Sequence, residues 1–275
     1  MHRLLYKDLV ARALAEDLGF GDVTTGSIFG PEEGEAVIVA KGKGVLAGLM
    51  VAEEVFAQID GQIKFLNFFQ DGEMVNPGDR VAGLKGPVSG ILMGERVALN
   101  FLQRMSGIAT ATREAVESIS HTGAKITDTR KTSPGLRILE KYAVRIGGGV
   151  NHRFNLADMV LIKDNHIKGA GSISEAVARV RQNCGFPVKI EVEAATLEHV
   201  REALVCGVDI IMLDNMTTDQ MAEAVKLVAG KVQVEASGGI TKERLAEVAS
   251  TGVDLISLGY LTTAGHALDL SLQLY

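Results

Sequence analysis

The second half of the chain repeats one pattern of apolar and polar positions. A short β-branched or apolar run gives way to a polar residue, then to roughly ten to twenty residues with apolar positions at helical spacing, often closing on Gly. The runs are Lys125-Ile126-Thr127-Asp128, Met159-Val160-Leu161-Ile162, Val188-Lys189-Ile190-Glu191-Val192, Asp209-Ile210-Ile211-Met212-Leu213, Val232-Gln233-Val234-Glu235 and Asp254-Leu255-Ile256-Ser257-Leu258. Between them, one segment opens on the cap-like Ser174, Thr196 to Cys206 stops at Gly207, and Thr241 to Ser250 stops near Gly252. Strand, helix and strand in repetition predict βαβ units and a parallel sheet. No Gly-rich dinucleotide fingerprint follows the first run, and each run ends in polar residues. Both features favour an α/β fold of the barrel type, incomplete at about six or seven parallel strands, over a doubly wound sheet.

The first hundred residues are patterned differently. A leading amphipathic helix with Leu5, Leu9, Ala13 and Leu14 on one side runs into Glu16-Asp17-Leu18-Gly19. Short strands and turns follow, among them Ala36 to Ala40, Gln62 to Phe69 and the turn-rich Asp71 to Asp79. A helix from about Gly94 to Met105 would bury Val97, Ala98, Phe101, Leu102 and Met105. The expected division is an N-terminal α+β domain over residues 1–107, a barrel domain over 108–265, and a tail from about 266 to 275 that packs back on the first domain.

Composition narrows the function classes. The 275 residues are 47% hydrophobic and 23% charged, which excludes wholesale disorder. No apolar run approaches the ~18 residues of a membrane span, and the N-terminus carries charges where a secretory leader needs an apolar core. A net charge of −6 argues against a general nucleic-acid binder. Cys184 and Cys206 make no disulfide framework or metal cluster and fit a reducing cytoplasmic compartment.

In an α/β barrel the chemistry sits at the C-terminal ends of the strands, and that selects residues. The selection gives Thr129, Arg130 and Lys131, then Lys163, Glu193, Asp214, Ser237-Gly238-Gly239 and Gly259, with a Gly-rich loop through His152 and Arg153. Between Arg130 and Lys168 lie eight basic residues (130, 131, 137, 141, 145, 153, 163 and 168) against three acids (140, 158 and 164). Arg137, Lys141 and Arg145 stand at i, i+4 and i+8, the spacing of a solvated helix face. Arg130, Arg153 and Lys163 suit a substrate with more than one carboxylate or phosphate, or alternatively structural ion pairs with Asp128, Asp158 or Asp164. Glu193 and Asp214 end consecutive strands and suit Mg²⁺ shared with phosphate oxygens, or alternatively an internal salt-bridge layer with Lys189 and Glu191. Ser237-Gly238-Gly239 and Gly259 present backbone N–H groups suited to a phosphate. A Schiff-base aldolase-type enzyme using Lys163 or Lys131 is the rival reading of the same strand ends.

Several motifs in series carry a resemblance. Thr127-Asp128-Thr129-Arg130-Lys131-Thr132-Ser133-Pro134-Gly135-Leu136-Arg137 continues through Glu140 to Val144, Gly147-Gly148-Gly149, Asn151-His152-Arg153 and Leu161 to Ile167. With Gly21-Asp22-Val23-Thr24-Thr25, Glu95-Arg96-Val97-Ala98-Leu99-Asn100 and Glu235-Ala236-Ser237-Gly238-Gly239-Ile240, this series resembles the decarboxylating nicotinate-nucleotide pyrophosphorylases, the quinolinate phosphoribosyltransferase family. The resemblance implies Arg130, His152, Arg153 and Lys163 on the two quinolinate carboxylates. It implies Lys131 near phosphoribosyl pyrophosphate, Glu193 and Asp214 near the ribose hydroxyls and Mg²⁺, and Ser237, Gly238, Gly239 and Gly259 on the 5-phosphate. Lys131, Glu193 and Asp214 would be the catalytic set, with Thr129 beside them. Arg96 would reach the partner's site in a homodimer or a higher oligomer. A retasked paralogue is the rival within the same family.

Overall fold

The computed structural model describes residues 1–264 and 267–275. The expected break between residues 265 and 266 lies outside the described residues. The strands are β1 Glu33–Ala40, β2 Gly44–Val45, β3 Lys64–Asn67, β4 Met74–Val75, β5 Arg80–Pro87, β6 Lys125–Thr127, β7 Val160–Ile162, β8 Ile190–Ala194, β9 Ile210–Asp214, β10 Gln233–Ser237, β11 Leu255–Ser257 and β12 Leu270–Leu274. The chain divides into two compact units. One comprises Met1–Arg113, Thr132–Gly148 and Leu261–Tyr275, the other Glu114–Lys131 and Gly149–Tyr260.

In the first unit β12, β1, β5 and β3 form an antiparallel sheet in that order, and β2 pairs with β4. The leading helix runs over Lys7–Leu18. Its buried stripe is Tyr6, Val10 and Leu14, at i, i+4 and i+8, while Leu5 is exposed. The stripe is thus set by Tyr6 and Val10 and not by Leu5, Leu9 and Ala13. The helix expected near 94–105 extends over Val88–Ser118. Gly90, Gly94 and Gly107 would read as breaks, but at least two of them serve close packing. A Cβ on Gly94 would stand 2.8 Å from the Phe56 ring, and one on Gly90 would stand 2.9 Å from Ile63 Cδ1. Ser106 on this helix accepts a hydrogen bond from Ala47 N (3.0 Å), and Thr110 accepts one from Val45 N (2.8 Å). The expected solvated face of Arg137, Lys141 and Arg145 does not hold at Lys141, which is buried within the helix Arg137–Ile146. Its neighbour Glu140 is buried as well, paired with Arg104 at 2.5 Å.

The second unit is the α/β part. All six expected strands form, joined as one parallel sheet in the order β6-β11-β10-β9-β8-β7. The first strand of the series lies beside the last, and the remaining strands follow in reverse chain order. That is the order of a barrel opened between β6 and β7, with a single parallel bridge from Thr127 to Val150 on the open side. Side chains alternate across a strand, and the register fixes which share a face. Glu193 stands opposite Met212, Met212 opposite Glu235, and Asp214 opposite Ser237. One face therefore carries Glu191, Glu193, Met212, Asp214, Glu235, Ser237 and Ser257. The other carries Val192, Ile211, Leu213, Val234, Ala236 and Ile256, all buried. The helices Ile173–Asn183, Leu197–Val205 and Thr218–Val228 pack against β7, β8 and β10 respectively. Their starts are fixed by side-chain caps. Ser172, not Ser174, caps the first by accepting from Glu175 N (3.1 Å), and Thr196 caps the second by accepting from His199 N (3.2 Å).

Candidate active site

The polar face of the sheet and the loops after its strands hold the expected residues of the second unit. Lys163, at the end of β7, forms an ion pair with Glu193 on β8; the side chain of Glu193 is 13% exposed and that of Lys163 is 45% exposed. Register places Asp214 two residues beyond the position opposite Glu193. The two carboxylates therefore do not stand directly opposite each other, and their Cα atoms are roughly 8 Å apart. Asp214 accepts a hydrogen bond from Asn215 Nδ2 (3.0 Å).

Arg130 and Arg153 converge. Burial and the neighbouring Arg130 lower the Arg153 pKa from the ordinary guanidinium value, against the opposing pull of Glu191, Glu193 and Asp158. Two guanidinium groups near enough to repel suit an anion that compensates both. Arg153 Nη1 donates to Met159 O (3.0 Å), which anchors the side chain to the start of β7. The Asp128 carboxylate accepts from His152 N (2.9 Å) and Asn151 Nδ2 (2.6 Å), and Asp158 accepts from Phe154 N (2.6 Å). Asp164 pairs with Lys168 at 3.1 Å. Two of the acids expected as partners of the arginines thus shape the loop that presents them. Thr129 Oγ1 accepts from Lys131 N (3.0 Å) and turns the chain after β6.

After β10, Gly238 and Gly239 have φ of +90° and +59°, in the left-handed region. A Cβ on Gly238 would lie 2.3 Å from Asn215 Oδ1, so only glycine fits there. Asn215, itself at φ 55°, donates its backbone N–H to Ser237 O (3.0 Å) and ties this turn to the end of β9. A Cβ on Gly259 would stand 3.2 Å from Lys131 Cδ, so the Lys131 side chain lies across the end of β11. The helix expected at Thr241 is a 3₁₀ turn at Lys242–Arg244 followed by Leu245–Ser250. An anion here would be met by the glycine N–H groups and Lys131 rather than by an α-helix dipole. Arg96 belongs to the first unit and is exposed on the helix Val88–Ser118.

The chemistry fits Mg²⁺ in a limited way. Two hard carboxylate ligands on adjacent strands suit an ion that keeps most of its ligands as water and phosphate oxygens. Glu193 also pairs with Lys163, so an ion here would share that carboxylate with the lysine. Among the described residues, the one group of three metal-type side chains is instead His152, Glu191 and Glu235.

A family model of the quinolinate phosphoribosyl transferase C-terminal domain matches residues 108–273, and one of the N-terminal domain matches residues 22–106. The chain belongs to the quinolinate phosphoribosyltransferase family. It is 49% identical over 273 residues to the probable nicotinate-nucleotide pyrophosphorylase [carboxylating] of Bacillus subtilis, covering 99% of this chain and 94% of the relative. It is 43% identical over 263 residues to the nicotinate-nucleotide pyrophosphorylase [carboxylating] of Rattus norvegicus, covering 94% and 86%. The crystal structure of NadC from Streptococcus pyogenes superposes with a TM-score of 0.97 at 42% identity, covering 100% of this chain and 98% of that one.

Of the buried acids on this face, the strand ends pointed to Asp128 only as an ion-pair partner and did not point to Glu235. Asp128 follows β6 directly and Glu235 lies within β10, and both are fully buried. A charge at an inward strand position is the signal that could have found Glu235.

Proposed function

We propose that the enzyme transfers the phosphoribosyl group of 5-phosphoribosyl 1-pyrophosphate to quinolinate with decarboxylation, giving nicotinate mononucleotide, pyrophosphate and CO2 in NAD biosynthesis. The observation that carries this reading is the convergence of Arg130 and Arg153 beside the Lys163–Glu193 pair, on a unit that also holds the Ser237–Gly239 turn and Lys131. A diacid and a phosphate ester need those two kinds of subsite.

In this reading Arg130, Arg153 and Lys163 hold the two carboxylates, with His152 framing their loop, and orient the ring nitrogen toward C1 of the ribose. The nitrogen lone pair forms the N–C1 bond while the C1–O bond breaks, its electrons leaving with pyrophosphate. Glu193 and Asp214, at the strand ends, face the ribose and offset the positive charge that develops on it. They would also hold Mg²⁺, which neutralises the leaving pyrophosphate. Ser237, Gly238, Gly239 and Gly259 receive the 5-phosphate, and Lys131 neutralises the phosphates beside them. Thr129 fixes the turn that carries Lys131. Once the nitrogen is quaternary, the bond from C2 to its carboxylate breaks, and the electron pair left on C2 takes a proton from Lys131 or water. Nothing in this sequence needs a Schiff base.

The working form in this proposal is a homodimer in which Arg96 completes the partner's site. A cytoplasmic location fits the two free cysteines. The test is Arg153→Ala, assayed for nicotinate mononucleotide. Loss of two charge-assisted hydrogen bonds at about 1.5–3 kcal/mol each predicts a fall in kcat/KM for quinolinate of at least a hundredfold. Activity within tenfold of the parent would remove Arg153 from the site.

A further inference from the structure

The loop that presents Arg153 rests on a buried cluster that the proposed reaction does not use. Glu191 on β8 and Glu235 on β10 are fully buried. None of their four carboxylate oxygens has a well-aligned hydrogen-bond partner. His152 Nε2 faces both, 3.0 Å from Glu191 Oε2 and 3.5 Å from Glu235 Oε2. The other ring nitrogen, Nδ1, accepts the backbone N–H of Arg153 (2.8 Å). A nitrogen that accepts an N–H carries no proton of its own, so a neutral ring bears its proton on Nε2, the nitrogen beside the carboxylates.

We propose that His152 is a positioning residue, held as its Nε2–H tautomer between the Arg153 backbone and the Glu191–Glu235 pair, and that Glu235 serves the diacid pocket only by acting through it. This deepens, and rests on, the reading of the pocket as the site of a pyridine dicarboxylate. In that arrangement neither ring nitrogen is turned to the substrate. What His152 supplies is the fixed position of the Arg153 backbone, which the Asp128 carboxylate also grips through His152 N. The same tautomer argues against a metal in the cluster, because the nitrogen facing the carboxylates has no lone pair to give. Burial, and then the charge of Glu191, push the Glu235 carboxyl up to about 8, with His152 opposing. A neutral acid relieves the contact between two buried carboxylates.

The test begins with ¹⁵N imidazole spectra of the full-length protein without substrate, with His152 assigned by its absence in His152→Gln. The proposal predicts the neutral Nε2–H pattern at pH 7, unchanged at saturating quinolinate or on addition of Zn²⁺. A doubly protonated ring, an Nδ1–H ring, or loss of the Nε2 proton to Zn²⁺ would overturn it. Kinetics supply the second arm. Glu235→Gln, a neutral isostere, is expected to keep KM for quinolinate within threefold. Glu235→Met should raise that KM about tenfold, with kcat and KM for the phosphoribosyl donor within threefold. Equal damage from Gln and Met, or none from Met, would contradict the proposal. Should either variant fail to fold, the parent spectrum still decides. A protein showing the expected ring pattern but binding no quinolinate would refute the reaction and leave the tautomer standing.

Discussion

Glu235 and Gly238 show how much depends on single positions. Glu235 carries its proton more tightly in the folded chain than in the unfolded one, because burial and Glu191 raise its pKa to about 8. The sign follows directly. An acid whose folded pKa is raised favours the folded state at low pH, and that contribution is lost as pH rises from about 4.5 toward 8. Urea midpoints should therefore fall across that window in the parent and fall less in Glu235→Gln. An equal slope in both would show that Glu235 does not hold its proton. At Gly238 the left-handed φ and the 2.3 Å approach to Asn215 leave no room for a Cβ. Gly238→Ala should raise KM for phosphoribosyl pyrophosphate at least tenfold while leaving KM for quinolinate within threefold. An unchanged donor KM would exclude this turn from phosphate binding. The phosphate role of Gly238 was legible in the Ser237-Gly238-Gly239 turn at a strand end, and that of Glu235 was not. Glu235 reads as one polar residue in a strand, and its meaning comes from the register that sets it opposite Met212 and near His152.

The six parallel strands were the most legible elements, since β-branched runs bounded by turns and helices have few alternatives. Their ends, which matter most, were less so. The two carboxylates at 193 and 214 are staggered because Glu193 pairs with Met212, two residues before Asp214, a register that composition does not encode. The long helix is legible only over its middle, Gly94 to Met105, since glycine lowers helix propensity wherever it stands. Here Gly94 admits the Phe56 ring. Gly94→Val would force that ring aside, at a cost of about 1–3 kcal/mol for overpacking. Thermal unfolding should then fall by several degrees, and an unchanged midpoint would mean that the helix does not pack as closely as described.

For the whole molecule, the order β6-β11-β10-β9-β8-β7 gathers residues from six strand ends that span nearly half the chain. This is why the motifs had to be read together to mean anything. The polar face was legible as chemistry only once the barrel rule selected it. What the sequence could not supply was the partner copy. Arg96 is exposed on its own helix, and its proposed place in a second subunit predicts complementation. Arg96→Ala and Arg153→Ala should each be nearly inactive alone. Unfolding and refolding the two together should restore about a quarter of parental activity, through the one intact site of each mixed dimer. No recovery would place Arg96 in its own subunit's site or outside the site altogether. The most direct test of the central claim is to incubate the protein with quinolinate, phosphoribosyl pyrophosphate and Mg²⁺, with nicotinate as the parallel substrate, and to measure CO2 and mononucleotide together. The account predicts equal amounts of both from quinolinate and no mononucleotide from nicotinate. Mononucleotide from nicotinate, or no product from quinolinate, would contradict it.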